Sequence, residues 1–140
     1  ASTQWGIMYE EYPSEPCSHV INGFIFCLIG LFELSAVGES QRAQRLFDQG
    51  VHTLAEVLPS WVDNWWSKYD LRDLTNDETP NYATMHYQYL HRDQMEVIWK
   101  ITNEETFYSY FEKLNRQLQN PLRTLVPYAF KFRKLVLQRR

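Results

Sequence analysis

An all-α fold is predicted: helical hairpins forming part of an α/α toroid, an incomplete (α/α) barrel, with a short irregular or β insertion. Three observations carry that expectation. Residues 20–34 form a run that is apolar nearly all round a helix, through Phe24, Ile25, Phe26, Leu28, Ile29, Leu31 and Phe32. The next stretch places Ala43, Leu46, Phe47, Val51, Leu54, Ala55 and Leu58 at intervals of three and four, so it is amphipathic. An apolar inner helix followed by an amphipathic outer one is the pattern of a stacked helical hairpin.

Each element has a local cause. Pro16 and Ser18 offer a start for the first helix before Val20, and Val37-Gly38 an end. Residues 20–32 are too short a run to span a bilayer and contain Asn22, Gly23 and Gly30, which predicts a buried helix. Cys27, inside that run, is expected to pack as a small hydrophobe. Ser40 opens the second helix and Pro59 is expected to stop it. Residues 61–71 break the helical period and read as irregular or short-strand structure, and residues 75–81 as a polar loop containing Pro80. Helices follow at about 85–101 and 103–118, the latter with Asn103 and Glu105 as its N-terminal signals. A last helix from about 122 is expected to kink or restart at Pro127.

Composition narrows the function. A length of 140 residues suits about one domain, and 44% apolar residues argues against disorder. Nine Tyr, eight Phe and five Trp fit either an aromatic core or an aromatic-lined carbohydrate or peptide groove. The net charge of −3 conceals an asymmetry: residues 113–140 hold eight Lys or Arg and no Asp or Glu. Such a tail suits a polyanion, or equally a solvated helix face with a positive C-terminal end. Two cysteines, Cys17 and Cys27, are too few for a disulfide framework. His86 and His91 are five apart, a poor spacing for a shared metal, and neither a Gly-rich phosphate loop nor a serine nucleophile elbow occurs. Residues 1–4 lack the basic start and apolar core of a secretory signal.

The chemistry concentrates at Tyr9-Glu10-Glu11-Tyr12-Pro13, two carboxylates and two phenols at the mouth of an apolar helix. Carboxylates and phenols there suit proton transfer to a polar ligand. This segment continues through Pro16 and Ser18 to Asn22-Gly23-Phe24 and Leu28-Ile29-Gly30-Leu31. Two others follow: Tyr69-Asp70-Leu71-Arg72, then Pro80-Asn81 with Ala83, Tyr87, His91 and Gln94. In order and spacing the three resemble the C-terminal helical domain of the D-glucuronyl C5-epimerase family, over roughly residues 5–118. That family converts glucuronic to iduronic acid within heparan-type chains. Met85-His86 stands where the family has Trp-Asp, and Gln88-Tyr89-Leu90 where it has His-Thr-Thr. These departures bear on the substrate more than on the reaction class.

The resemblance implies an α/α toroid with a tyrosine-rich site, preceded by β-rich domains. Residues 1–140 would then be the C-terminal helical portion of a larger catalytic domain. It implies catalytic roles for Glu11, Tyr12, Tyr69 and Tyr87, substrate-binding roles for Arg72, Asn81 and His91, and neither metal nor cofactor. The implied partners are a uronate-containing polysaccharide and the upstream β-rich domains, with no nucleic acid; a homodimer would also cover exposed helix edges. Animal family members work in the Golgi lumen, though no residue here encodes an address.

Inverting C5 requires removing a proton alpha to the carboxylate on one ring face and returning one on the other. Arg72 would grip the carboxylate and stabilise the enediolate. Glu11 or Tyr12 would serve one face and Tyr87 the other, with Tyr69 orienting the sugar. Burial is expected to raise the Glu11 pKa, and a nearby Arg to lower a tyrosine, moving both toward working pH. A glycan-binding module without turnover, or a uronate lyase or glycosidase on the same scaffold, are the alternatives.

Overall fold

The computed structural model describes residues 2–12, 15–75 and 79–137. A short antiparallel hairpin, β1 (Ser2–Thr3) and β2 (Gly6–Ile7), precedes the helices. These are α1 (Ile21–Gly38), α2 (Gln41–Trp61), the single turn α3 (Arg72–Thr75), α4 (Met85–Thr102) and α5 (Glu105–Gln119). A 3-10 turn, Arg123–Leu125, leads into α6 (Val126–Leu137). The described residues are thus mainly helical, as expected of an all-α fold. α1 pairs with α2 and α4 with α5, and α1 also meets α4. Their shared core includes Phe24, Ile25, Leu54, Leu58, Met95 and Phe107.

Ser40 starts α2 as expected, its hydroxyl accepting from the Ala43 amide at 3.2 Å. Pro59 does not stop the helix, which continues to Trp61. The lost backbone donor is outweighed by burial of the whole Trp61 side chain, whose indole N–H donates to the Lys68 carbonyl at 2.6 Å. Asn103 belongs to the end of α4, not the start of α5. It adopts a left-handed φ of 57° and returns its N–H to the Trp99 carbonyl at 2.7 Å. Pro127 falls in the first turn of α6, where a missing N–H leaves no intrahelical bond unmade.

The insertion between α2 and α4 is held by two isolated antiparallel bridges, Val62 with Ser67 and Lys68 with Tyr82. Trp66 is fully buried beneath it and donates to the Ala83 carbonyl at 2.9 Å.

α1 differs most from its expected state. Its first half is enclosed through Ile21, Asn22, Gly23, Phe24, Ile25 and Leu28, whereas Phe26, Leu34 and Val37 are 52%, 56% and 89% exposed. Cys27 is exposed rather than packed and lines an apolar cleft of about 410 Å3 with Tyr9, Leu31, Leu34 and Leu46. The helix runs 18 residues with mean hydropathy 1.8, longer than the apolar run suggested and sufficient by length and composition to cross a membrane. Its buried residues, Ile21 to Ile25 and Leu28, pack as those of a core helix do.

Candidate active site

The segment before α1 directs four consecutive side chains to four places. Tyr9 turns inward, its hydroxyl donating to the Leu46 carbonyl at 2.7 Å and its ring lying 5.7 Å from that of Phe24. Glu10 holds His19 through both oxygens, one 2.5 Å from Nδ1 and the other accepting from the His19 amide at 3.1 Å. Glu11 crosses α1 where Gly23 leaves room, since a Cβ on Gly23 would stand 2.4 Å from Glu11 Oε2 and 2.8 Å from its Cβ. Tyr12, 51% exposed, reaches toward the insertion and α4.

There it meets the two other predicted tyrosines. Tyr12 hydrogen-bonds with Glu11 and Tyr69, and Tyr69 with Tyr87. The Tyr69 and Tyr87 rings meet edge to face with centroids 4.8 Å apart. Tyr87 is set in the first turn of α4, where its amide donates to the capping Thr84 hydroxyl at 3.4 Å. Glu11, Tyr12, Tyr69 and Tyr87, 76 residues apart at the extremes (11 to 87), therefore form one connected group of hydroxyls and a carboxylate.

The phenols do not titrate as expected. Burial, then the hydrogen bond and charge of Tyr87, push Tyr69 up to about 12. Tyr12 is also raised, chiefly by its bond to the Glu11 carboxylate, which holds the phenol proton. A lowering by Arg72 is not what dominates, because Arg72 is turned to Asp70. Both phenols are therefore proton donors at neutral pH.

Asp70 organises the neighbouring residues. It is fully buried, and its Oδ2 accepts from Arg72 Nε at 3.1 Å, from an Arg72 terminal nitrogen at 2.8 Å and from Asn81 Nδ2 at 2.9 Å. This is not a surface ion pair. The Arg72 side chain remains 43% exposed, so its fork is fixed while part of it faces solvent. Asn81 also receives the Tyr69 amide on its backbone carbonyl at 2.7 Å, tying the Tyr69 segment to the Asp70 anchor.

His91 stands apart from its predicted partners. It has no exposed surface, so it lies behind Tyr87 and not on the open face. Its ring is 6.3 Å from Tyr87 and edge-on to Trp61 at 4.8 Å, and burial pushes its pKa down to about 3. Nδ1 lies 2.7 Å from Ser67 Oγ. Ser67 also contacts Gln88 Oε1, Gln88 Nε2 donates to Gln117 Oε1 at 2.7 Å, and Gln117 Nε2 donates to the Asp63 carbonyl at 2.9 Å. His91 thus takes the place of a hydrogen-bonding core residue in this buried chain. Among the described residues no group of three His, Cys, Asp or Glu is arranged to hold a metal ion.

Sequence reasoning missed the anchoring function of Asp70, the Glu10–His19 clamp and the Ser67–Gln88–Gln117 chain. The Asp-x-Arg spacing pointed to the first. Gly23 within an otherwise apolar helix marked the close approach of Glu11. No local signal distinguished Gln88 or Gln117 from solvated helix residues.

Known proteins share this arrangement of segments. The chain is 35% identical to the D-glucuronyl C5-epimerase of Caenorhabditis elegans, over 71% of this chain and 18% of that protein. It is 28% identical to the uncharacterized protein MJ1128 of Methanocaldococcus jannaschii, over 75% of this chain and 32% of that protein. It therefore spans under a third of the length of these relatives. The sequence model described as D-glucuronyl C5-epimerase C-terminus matches residues 1–116, which cover the whole of the tyrosine and carboxylate cluster. The chain belongs to the D-glucuronyl C5-epimerase family.

Proposed function

We propose that this chain is the C-terminal helical part of a larger catalytic domain that inverts C5 of D-glucuronate to L-iduronate within a heparan- or heparosan-type polysaccharide. In this reading the helical hairpins form an arc of an α/α toroid, and β-rich domains precede them in the same protein. The observation that carries it is the convergence of Glu11, Tyr12, Tyr69 and Tyr87 into one group, with the Asp70-held Arg72 three residues beyond Tyr69 in the chain.

C5 of a uronate is a weak carbon acid, so the barrier lies in the enediolate formed when its proton leaves. Arg72, held by Asp70, offers planar donors to the carboxylate, whose charge grows in that intermediate. The electron pair of the C5–H bond moves into the carboxylate, and the proton passes to a base on one ring face. The Glu11–Tyr12 pair serves that face, with the Glu11 carboxylate taking the proton because the Tyr12 phenol keeps its own, and Tyr87 serves the other. A proton delivered from the opposite face re-forms C5–H with inverted configuration. Tyr69, protonated through neutral pH, orients the sugar by donating a hydrogen bond.

The test is proton exchange in heavy water with the full-length protein and heparosan. We expect deuterium at C5 with new iduronate signals, and loss of both in Tyr87→Phe. Exchange retained by that variant removes Tyr87 from acid/base duty. Ultraviolet absorbance from an unsaturated uronate would mark a lyase instead.

A further inference from the structure

α6 lies beyond residues 1–116, the part of the chain that the family shares, and has no role in the chemistry above. It carries large apolar side chains on two sides. One side is seated on the body: Pro127 is buried, and the Phe130 ring lies 4.6 Å from that of Tyr82. The other faces solvent, with Leu125, Tyr128 and Phe132 at 59%, 62% and 70% exposed. We propose that this outer face is a docking surface for an anionic lipid membrane, with α6 lying in the headgroup plane. Such docking is independent of the reaction at the tyrosine cluster.

The spacing defines the surface. Leu125, Tyr128, Ala129 and Phe132 recur at i, i+3, i+4 and i+7, which puts them on one helical stripe. A stripe of this kind ordinarily turns to a core, but here the inward side is already taken by Pro127 and Phe130. The seat itself is firm. Pro127 and Phe130 share a small recess with Pro80, Asn81 and Tyr82, and the Tyr82 hydroxyl donates to the Asp63 carboxylate. At the other end of the segment, the Arg123 guanidinium lies 6.0 Å from the centre of the Trp65 ring. The helix is thus held from behind while its outer stripe is presented to solvent.

Charge selects the occupant. Residues 113–140 hold eight Lys or Arg and no Asp or Glu, against six and 17 in residues 1–112. An anionic bilayer attracts the first group and repels the second, so it favours one orientation of the molecule. Exposed Lys131 stands next to Phe132 in the chain, so the same approach takes the phenylalanine out of water. A soluble polyanion would pair with the cations but leave Leu125 and Phe132 hydrated, whereas a bilayer accepts both. The uncovered part of α1 makes the contrast. Phe26, Leu34 and Val37 are exposed there, but that helix holds Glu33 and no Lys or Arg, so nothing in it selects an anionic surface.

The test titrates the full-length protein with phosphatidylcholine vesicles, either neutral or containing about one-third phosphatidylserine. Binding is read by co-sedimentation and by the fluorescence of Phe132→Trp. Wild type should bind the anionic vesicles, and more weakly as salt is raised. Phe132→Ser should bind about tenfold more weakly, and Lys131→Gln about fivefold. Both positions are exposed, so the unfolding midpoint should stay at its wild-type value. In Phe132→Trp the added indole emission should move to shorter wavelength on anionic vesicles and be quenched by lipid brominated in its acyl chains. Unshifted emission, or undiminished binding by Phe132→Ser, overturns the membrane surface. Heparin binding that Lys131→Gln weakens and Phe132→Ser does not, without vesicle binding, overturns it in favour of a soluble polyanion. Self-association abolished by Phe132→Ser, again without vesicle binding, overturns it in favour of a second copy of the chain.

Discussion

The two faces of the α4 N-terminus carry polar groups of opposite design. On the outer face, Tyr87 joins Glu11, Tyr12 and Tyr69 in a group still open to solvent through Tyr12. Behind it, at the next residue and one turn further along α4, Gln88 and His91 join Ser67 and Gln117 in a chain with no exposed surface. The buried chain spends its hydrogen bonds on protein partners and so specifies one arrangement of α4, α5 and the insertion. The outer group keeps hydroxyl capacity for a ligand. A site can then be both hydrated and well placed, because the rigidity is supplied from behind.

Titration should separate the two faces most strongly. His91 has a folded pKa of about 3 against 6.5 in the open chain, so its neutral form is favoured by folding. Its contribution is fully present above pH 6.5 and is lost as pH falls toward 3, a loss of about 5 kcal/mol. Urea unfolding across that range should show a steep acid limb that His91→Gln flattens; matching limbs would remove His91 as its source. Tyr69 should act at the other end. Its folded pKa is raised from 10.0 to about 12, so its contribution is present below pH 10.0 and declines as pH rises through 12. Phenolate absorbance should show a late-titrating component, and Tyr69→Phe should reduce it by one tyrosine, leaving Tyr82, which burial and its hydrogen bond to Asp63 raise further.

Next in size is the inner chain itself. Gln88 accepts from the Ser67 amide at 3.2 Å, contacts the Ser67 hydroxyl and donates to Gln117. Gln88→Leu has similar volume but strands these partners in the core, at a cost of about 3 kcal/mol. The denaturation midpoint should fall accordingly, with near-ultraviolet signals of Trp61 and Trp66 altered. An unchanged midpoint would mean that the chain does not specify the packing.

The helices were legible because their causes are local. Alternation of apolar residues at three and four, the Ser40 cap and the glycine at Gly38 mark α1 and α2 within a turn. The failures share a different cause. Pro59 was overridden by the burial of Trp61, and Asn103 was assigned to the wrong helix because one residue can end one or begin the next. Cys27 looked internal because periodicity alone does not tell which side of an all-apolar helix is covered. In the site, residue identities came from the three segments, whereas the Ser67–Gln88–Gln117 chain behind them depends on long-range closure. The sign of the phenol shifts depends on burial and on which partner Arg72 takes, neither of which is written in one segment.

The smallest expected effect on stability comes with a large one on activity. Gly23 lies in the second residue pair of α1, where replacement by alanine should favour the helix by up to about 1 kcal/mol. The added Cβ would meet not only the Glu11 carboxylate but also its Cβ at 2.8 Å, so a rotamer change of Glu11 alone does not relieve the contact. The Glu11-Tyr12 segment must lift from the helix, which separates Tyr12 from Tyr69 while leaving the inner chain untouched. We expect Gly23→Ala to keep the denaturation midpoint within about 1 kcal/mol of wild type and to lower C5 exchange at saturating polymer by about a hundredfold. Restored exchange in Gly23→Ser would show that crowding is not the cause, because serine brings the same Cβ. Parallel loss of stability and exchange would place Gly23 in the core packing, and the contrast between an adjustable outer face and a fixed inner one would fail at α1.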